Sequence, residues 1–418
     1  MTTTTVRSTP ADSGAARIET ADAARTAADA FAAAIAAGAV ERDRDRRLPH
    51  EEIEQLSRSG LLAITVPARW GGPDLAPSVV ADVTRRIAAA DPNIAQIPHS
   101  HFVYLNLLRL NANDALAARQ FADVLAGGRI ANAQSERGGK TIADIATRLI
   151  PGPEGSGQGL LLTGEKFYAT GSLFAHTLAV LARLDDPAGD LTPGEYVAFI
   201  PADAPGVEII DDWNGIGQRT TGSGTVRFTD VVVDPVDLVQ RSPAVSAPTG
   251  YGAFAQLLHV AIDAGIARGA LESAAEFVRT KSRPWFEAQV DRAVDDPLVV
   301  QRFGELAVEV ASAEALLVAA GAAVDHATKD GTEPDPQALV DASIAVATAK
   351  AVADRVANSV TSALFEVSGT RSAGADLRLD HFWRNARTHT LHDPVRWKYQ
   401  HIGRYVLRGE NPPLHGVL

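Results

Sequence analysis

The period of the hydrophobic pattern changes twice along this chain, and the order of those changes constrains the fold more than any single motif does. From Ile18 to Ala37, Pro49 to Gly60, Val79 to Ala89 and about Phe102 to Ala126, apolar residues recur at helical spacing in alanine-rich sequence. Near Ile130 that spacing gives way to short Val/Ile/Leu/Phe/Thr runs punctuated by Gly and Pro: Leu160–Thr163, Thr177–Leu184, Tyr196–Ile200 and Thr225–Phe228. These predict an antiparallel β domain. From Gly252 the helical stripes return, over 252–280, 297–327 and 336–369. Helices, strands and helices in blocks argue for an α+β chain, because a doubly wound sheet needs the two to alternate. The expected units are a disordered tail 1–17, a helical domain 18–128, a β domain 129–240 and a helical bundle 241–418.

Composition narrows the chemistry. The 418 residues include no cysteine, which excludes disulfides, thiolate metal ligands and cysteine nucleophiles. A net charge of −12, with the basic run Arg42–Arg47 interrupted by aspartates, gives nucleic-acid binding little electrostatic support. The tail lacks a hydrophobic signal region. The most apolar helical stretch, Ala307 to Val324, contains Glu309 and Glu314, so no membrane span is expected. A cytoplasmic protein is the expectation.

Titratable and aromatic residues concentrate in one place, Phe382 to Tyr399, which holds Trp383, Trp397, His389, His392, Arg384, Arg387 and Asp393. His389 and His392 are three apart and share a face if helical. Pro394 disfavours helical geometry at Asp393, which places the pair near a helix end, where side chains can enter a cleft. Other motifs fall short. Gly215-Ile-Gly217 begins a dinucleotide fingerprint, but Thr220 stands at its third glycine. Gly138-Gly-Lys-Thr141 resembles the end of a P-loop, but Gln134 stands at its first glycine. No G-x-S-x-G elbow occurs. His99-Ser-His101 has no cluster to complete a metal site, leaving structural contacts or one histidine facing a pocket.

Three loops remain as candidate binding elements: Asn132-Ala-Gln-Ser-Glu136, Lys166-Phe-Tyr-Ala-Thr-Gly-Ser172, and Asp211 to Gly224 with its four glycines and Trp213. Glycines permit close backbone approach to a ligand, and an indole offers a flat stacking face. A planar heteroaromatic cofactor suits these parts better than a metal or a phosphate alone; a turn around a buried Trp is the other reading.

The domain order and these loops together resemble the acyl-CoA dehydrogenase fold from about residue 20 onward. Val66-Pro-Ala-Arg-Trp-Gly-Gly72 is similar to that superfamily's V-P-x-x-Y-G-G turn. Within it, the chain resembles the flavin-dependent monooxygenases of sulfur acquisition, the dibenzothiophene monooxygenase group. The resemblance rests on Asp211-Asp-Trp213, Gly217–Gly224, Arg283-Pro-Trp285, Phe365–Gly369 and Phe382–Pro394. It implies an N-terminal α domain, a middle antiparallel β domain and a C-terminal four-helix bundle, assembled as a homotetramer. Two departures separate the chain from true acyl-CoA dehydrogenases. Leu391-His-Asp-Pro394 stands where their Glu-Gly-Thr signature supplies the α-proton base. Arg279–Pro284 and Ser368–Arg371 stand where they hold the adenylate half of FAD, which favours FMN, with FAD the alternative.

The resemblance further implies reduced FMN from a separate NAD(P)H:flavin reductase, O2, and a small organosulfur substrate that receives one oxygen atom. Trp213 and Tyr168 would cover the flavin ring, and Asn132, Ser135 and Thr170 would bond its edge. His392 and His101 would handle protons beside the cofactor, with Asn132 and Thr170 at the reacting centre. Arg279, Arg283 and Arg371 would take the phosphate, Arg offering a bidentate fork. An FAD-dependent acyl-CoA dehydrogenase and a non-catalytic flavin-fold scaffold are the competing readings.

Overall fold

A computed structural model describes residues 14–152, 159–329 and 335–416. Seven helices come first: α1 (Ala21–Ala36), α2 (Ala39–Asp45), α3 (His50–Arg58), α4 (Pro77–Ala90), α5 (Pro92–Gln96), α6 (His99–Asn111) and α7 (Asp114–Leu125). The predicted helix over 102–126 is therefore two. Asn113 separates them, accepting from the Leu116 N–H as the N-cap of α7. Of the expected disordered tail, residues 1–13 lie outside the described residues. Ala16 is already held, its N–H donating to Arg58 O at 2.9 Å.

Eight strands follow: β1 (Ile130–Ala133), β2 (Arg148–Pro151), β3 (Leu160–Lys166), β4 (Thr177–Leu184), β5 (Gly194–Pro201), β6 (Val207–Ile210), β7 (Thr225–Val233) and β8 (Leu238–Gln240). They form one sheet in the order β6-β7-β3-β2-β4-β5-β8, with β1 also on β4. The sheet is mixed, which corrects the antiparallel expectation. β1 and β2 lie end to end along one edge of β4 and both run parallel to it, Ile130 opposite Thr177 and Leu149 opposite Leu184. Strand propensity alone carries no direction.

The remaining helices are α8 (Arg241–Val245), α9 (Tyr251–Thr280), α10 (Pro297–Ala327), α11 (Pro336–Ser368), α12 (Asp380–His389) and α13 (Arg396–Arg408). The chain has the expected acyl-CoA dehydrogenase-like layout, but its two helical regions share one hydrophobic core. α4 packs along α9 as closely as the bundle helices pack on one another. Gly269 permits this, since a Cβ there would strike Ala89 O. Contrary to the expectation, α10 is long and apolar enough to cross a membrane by length and composition. It packs against α4, α9 and α11 and leaves Leu298, Val308 and Val318 exposed.

Between β6 and β7 the loop 211–224 docks on α12. Gly217 lies against Arg384 O, where any side chain would collide. The Arg384 guanidinium donates to Ile216 O at 3.0 Å and pairs with Asp43 at 2.5 Å. The Asp43 side chain is 1% exposed, so removing its partner leaves a buried charge uncompensated. We expect Arg384→Met to lower stability to urea by about 3–5 kcal/mol. A loss below about 1 kcal/mol would show that the pair does not hold α12 to the loop.

Candidate active site

α6 starts at His99, α9 carries His259 two turns in, and α12 ends at His389 with His392 in the turn beyond. Because α6 and α12 both pack on the same end of α9, four imidazoles gather there. The His259 ring lies 3.9 Å from that of His99 and 3.9 Å from that of His392, centre to centre. His259 Nδ1 is 3.1 Å from His389 Nε2. His389 Nδ1 is 2.5 Å from Asp263 Oδ1, and Asp263 Oδ2 accepts from Lys350 Nζ at 2.6 Å. The cluster thus runs from His392, whose side chain is 41% exposed, to an ion pair with no exposure at all.

Electrostatics follow from this gradient. Burial pushes His99 down to about 3, with His392 nearby adding to the effect. Burial, then His392 and His99, hold His259 well below the usual imidazole range. Burial alone would raise Asp263, but Lys350 and His389 outweigh it and keep the carboxyl below its ordinary value. Burial and the neighbouring Asp263 lift Asp354 to about 6. The inner rings are therefore neutral near pH 7, and Asp263 is ionised.

Facing the imidazoles across the seam is the β domain. Asn132, on β1, donates from Nδ2 to Ser100 Oγ at 3.0 Å, which ties it to α6 beside His99. Its Oδ1 is buried without a partner. Thr170 Oγ1 is 2.7 Å from Ser223 Oγ, and Gly171 packs on Ala131 and Ile97. Tyr168 stands edge-on to Trp213 with centres 6.2 Å apart. Trp213 Nε1 donates to Gln218 O at 2.7 Å, and the Gln218 N–H donates to Asn385 Oδ1 at 2.6 Å. Both polar atoms of the Gln218 side chain are buried and unpartnered. One turn along α6 from His99 opens a cavity of about 400 Å³, lined by Phe102, Asn106, Arg109, Phe254, Thr249 and Asp325.

Two family models match this chain: Acyl-CoA dehydrogenase, N-terminal domain, over residues 19–128, and Acyl-CoA dehydrogenase, C-terminal domain, over 257–397. The chain belongs to the acyl-CoA dehydrogenase family. It is 32% identical to a dibenzothiophene monooxygenase of Mycolicibacterium goodii, over 89% of this chain and 91% of that one. It is 30% identical to the probable FMNH2-dependent monooxygenase SfnC of Pseudomonas putida, over 91% and 94%. Among solved structures, FMN-bound TdsC from Paenibacillus sp. A11-2 superposes with a TM-score of 0.88 at 31% identity, covering 94% of this chain and all of TdsC. Methanesulfinate monooxygenase MsuC from Pseudomonas fluorescens gives 0.85 at 31% identity, covering 94% and 99%. Like these relatives, the chain is a flavin-dependent oxidoreductase.

For a flavin, the residues at the seam fit. An unpartnered Asn132 Oδ1, the unpartnered Gln218 amide and the Thr170 hydroxyl are what the polar edge of a planar heterocycle would satisfy, beside the Tyr168–Trp213 pair.

The fold gathers His392, Asn132, Thr170, Trp213 and Tyr168 around the seam, and sets five other candidates apart from it. His101 is turned into the core: Ile130 N–H donates to its Nδ1 at 3.1 Å and Leu62 O takes its Nε2 at 2.9 Å. Both nitrogens are committed, so it pins α6 rather than handling protons. Its neighbour His99, one of the two considered in that motif, faces the seam instead. Ser135 is exposed beyond β1. Arg279, Arg283 and Arg371 are exposed and lie at or just beyond the far ends of α9 and α11, where Arg371 donates to Lys281 O at 3.0 Å. Twenty residues of helix put Arg279 about 30 Å from His259, more than one FMN can bridge within this chain.

His259, Asp263 and Lys350 escaped sequence reasoning because they sit singly in long alanine-rich helices. The available signal was an acid and a lysine on otherwise apolar stripes, positions at which a buried charge needs a partner.

Buried histidines make stability depend on pH. His99 falls to about 3, and His101, His176 and His381 to about 4, all chiefly through burial. Unfolded, each takes a proton near pH 6.5; folded, only further down. Their contribution is complete above about pH 6.5 and declines toward about pH 4, by up to about 1.4 kcal/mol per pH unit for each. Asp354, raised to about 6 when folded, works the other way, as do the raised Asp91, Asp123 and Asp237, while the lowered His259 and His389 add to the four histidines. Urea unfolding at pH 7.5 and 5 should show a clear loss at pH 5; equal stabilities would contradict the neutral buried rings.

Proposed function

We propose that this chain is the oxygenating component of a two-component system: it takes reduced FMN from a separate NAD(P)H:flavin reductase, together with O2, and oxygenates a small organosulfur compound. The observation that carries this reading over dehydrogenation concerns carboxylates. Among the described residues, the two acids in hydrogen-bond contact with an imidazole of the cluster are each locked to a lysine, Asp263 to Lys350 at 2.6 Å and Asp393 to Lys398 at 2.9 Å. Neither is available as the α-proton base that an acyl-CoA dehydrogenase needs. The names of the relatives support the same choice, being dibenzothiophene monooxygenase, FMNH2-dependent monooxygenase and methanesulfinate monooxygenase.

When bound, reduced FMN would supply both electrons, one atom of O2 going to sulfur and the other leaving as water. The protein's part is to hold, shield and manage protons. Trp213 and Tyr168 would cover the ring, and Asn132 and Thr170 would bond its edge. His392, at the mouth of the imidazole cluster, would exchange protons with the reacting centre, since imidazole both donates and accepts near neutral pH. The 400 Å³ cavity that begins at Phe102, one turn along α6 from His99, would take the body of the substrate, being the size of a small-molecule pocket with mixed apolar and polar walls.

Arg279, Arg283 and Arg371 would then serve a neighbouring copy. The exposed apolar residues Leu298, Val308 and Val318 of α10, with Trp285 and Phe286, offer surface for such copies. We place the chain in a homotetramer, a dimer of dimers, in which this basic corner reaches the flavin phosphate of the next subunit.

Anaerobic titration with reduced FMN, followed by O2 and an organosulfur substrate, tests the assignment. Reduced FMN should bind more tightly than FAD; an FAD preference of about tenfold, or about 1.4 kcal/mol, would favour the dehydrogenase reading. His392→Ala should retain FMN binding and the fold while product formation drops roughly a hundredfold to ten-thousandfold, with more hydrogen peroxide released per reduced flavin. Native rate and coupling in that variant would remove His392 from proton handling.

A further inference from the structure

The hydrogen bonds behind His392 determine where every proton in the inner cluster sits. Lys350 keeps Asp263 ionised, and an ionised carboxylate only accepts. His389 must therefore carry its proton on Nδ1, the nitrogen 2.5 Å from Asp263 Oδ1. That leaves the lone pair of a neutral His389 on Nε2, which faces His259 Nδ1 at 3.1 Å. His259 must donate there, and its own lone pair is on Nε2, for which the described residues offer no hydrogen-bond partner. From the other side, Ala255 O only accepts, so His99 carries its proton on Nε2, 3.0 Å away. Two obligate acceptors at the ends of the cluster thus assign three tautomers.

We propose that Asp263, His389 and His259 form a proton relay in which His259 Nε2 is the accepting atom, while His389, Asp263 and Lys350 act as positioning residues behind it. The step is balanced. A hydroxyl or water at the reacting centre gives up its proton, its O–H bond breaking and the oxygen keeping the electron pair; an N–H bond forms at His259 Nε2, the His259 Nδ1–H bond breaks, and a new N–H bond forms at His389 Nε2. No electron changes hands. The positive charge ends one ring deeper, on a His389 imidazolium against the Asp263 carboxylate, and returns by the same path. Stabilising that charge is work for an acid already ionised in place.

The arrangement also explains a costly feature. Asp263 and Lys350 have fully buried side chains, and such a pair is often no more stabilising than well-packed apolar residues would be. Here the lysine forces the carboxylate to stay ionised and so forces the Nδ1–H tautomer on both histidines behind the reaction centre. The groups that face His259 are His99 on α6, His389 and His392 at and beyond the end of α12, and Lys350 on α11. Asp354 and the Asp393–Lys398 pair act at one remove, through Asp263 and Lys350.

The relay rests on the oxygenase reading only for its use, so the test has one arm that needs no flavin. In the flavin-free protein, imidazole ¹⁵N spectra should show His389 and His259 as Nδ1–H tautomers and His99 as Nε2–H. An Nε2–H tautomer at His259 overturns the relay. In the second arm, Asp263→Asn/Lys350→Met, which removes both buried charges together, should lose the Nδ1–H preference. Its turnover with reduced FMN should fall roughly a hundredfold, with the acid limb of the rate–pH profile displaced, more hydrogen peroxide released and FMN binding unchanged. An unchanged pH limb and unchanged coupling overturn the relay. Correct tautomers in a wild-type protein that oxygenates no sulfur compound would support the wiring and discard the oxygenase reading instead.

Discussion

The contact between Lys350 and Asp263, 2.6 Å long and sealed between α9 and α11, is the constraint on which the site is built. Two charges buried without solvent are tolerable only if each satisfies the other and the spare oxygen is also bonded. That spare oxygen selects His389, which fixes the end of α12 against α9, and His389 in turn sets the position of His259. Breaking the pair on either side would leave a bare charge in a helical core, so the geometry is held by the whole bundle.

A second set of contacts brings the β domain to the same place. Gly217 and Gln218 in the loop 211–224 meet Arg384 and Asn385 of α12, and Asn132 on β1 meets Ser100 on α6. Each bond crosses between regions far apart in the chain. α12 is therefore the shared wall: its last residue faces inward to Asp263, and its middle faces outward to the loop that carries Trp213. The unpartnered Asn132 Oδ1 and Gln218 amide lie on the β side of this seam, where a polar ring would meet them. Burial keeps the imidazoles on the helical side neutral, so each presents a free lone pair near neutral pH.

Much was legible in the sequence itself. The switch from helical spacing to short β runs near Ile130 and back again reports local preference, which depends on neighbours three or four residues away, and it located the three regions. The cluster at Phe382–Pro394 and the loop around Trp213 were visible for the same reason: their residue types are unusual over a short window. His392, Asn132, Thr170, Tyr168 and Trp213 all belong to such windows, and the fold brings them to one seam.

What the tertiary structure alone decided were questions of partner and direction. Whether His99 or His101 faces the cleft turns on a rotation of about 200° along one helix, and the backbone at Leu62 and Ile130 claims His101. The parallel pairing of β1 with β4 depends on where the chain re-enters the sheet, which strand propensity does not encode. His259, Asp263 and Lys350 look ordinary in alanine-rich helices; only the packing of α9 on α11 and α12 makes them one network. Arg279, Arg283 and Arg371 show the converse, since a sequence match carries no distance and α9 holds Arg279 about 30 Å from His259. Local sequence determined which residues could do chemistry, and the crossing of α6, α9, α11 and α12 decided which of them meet.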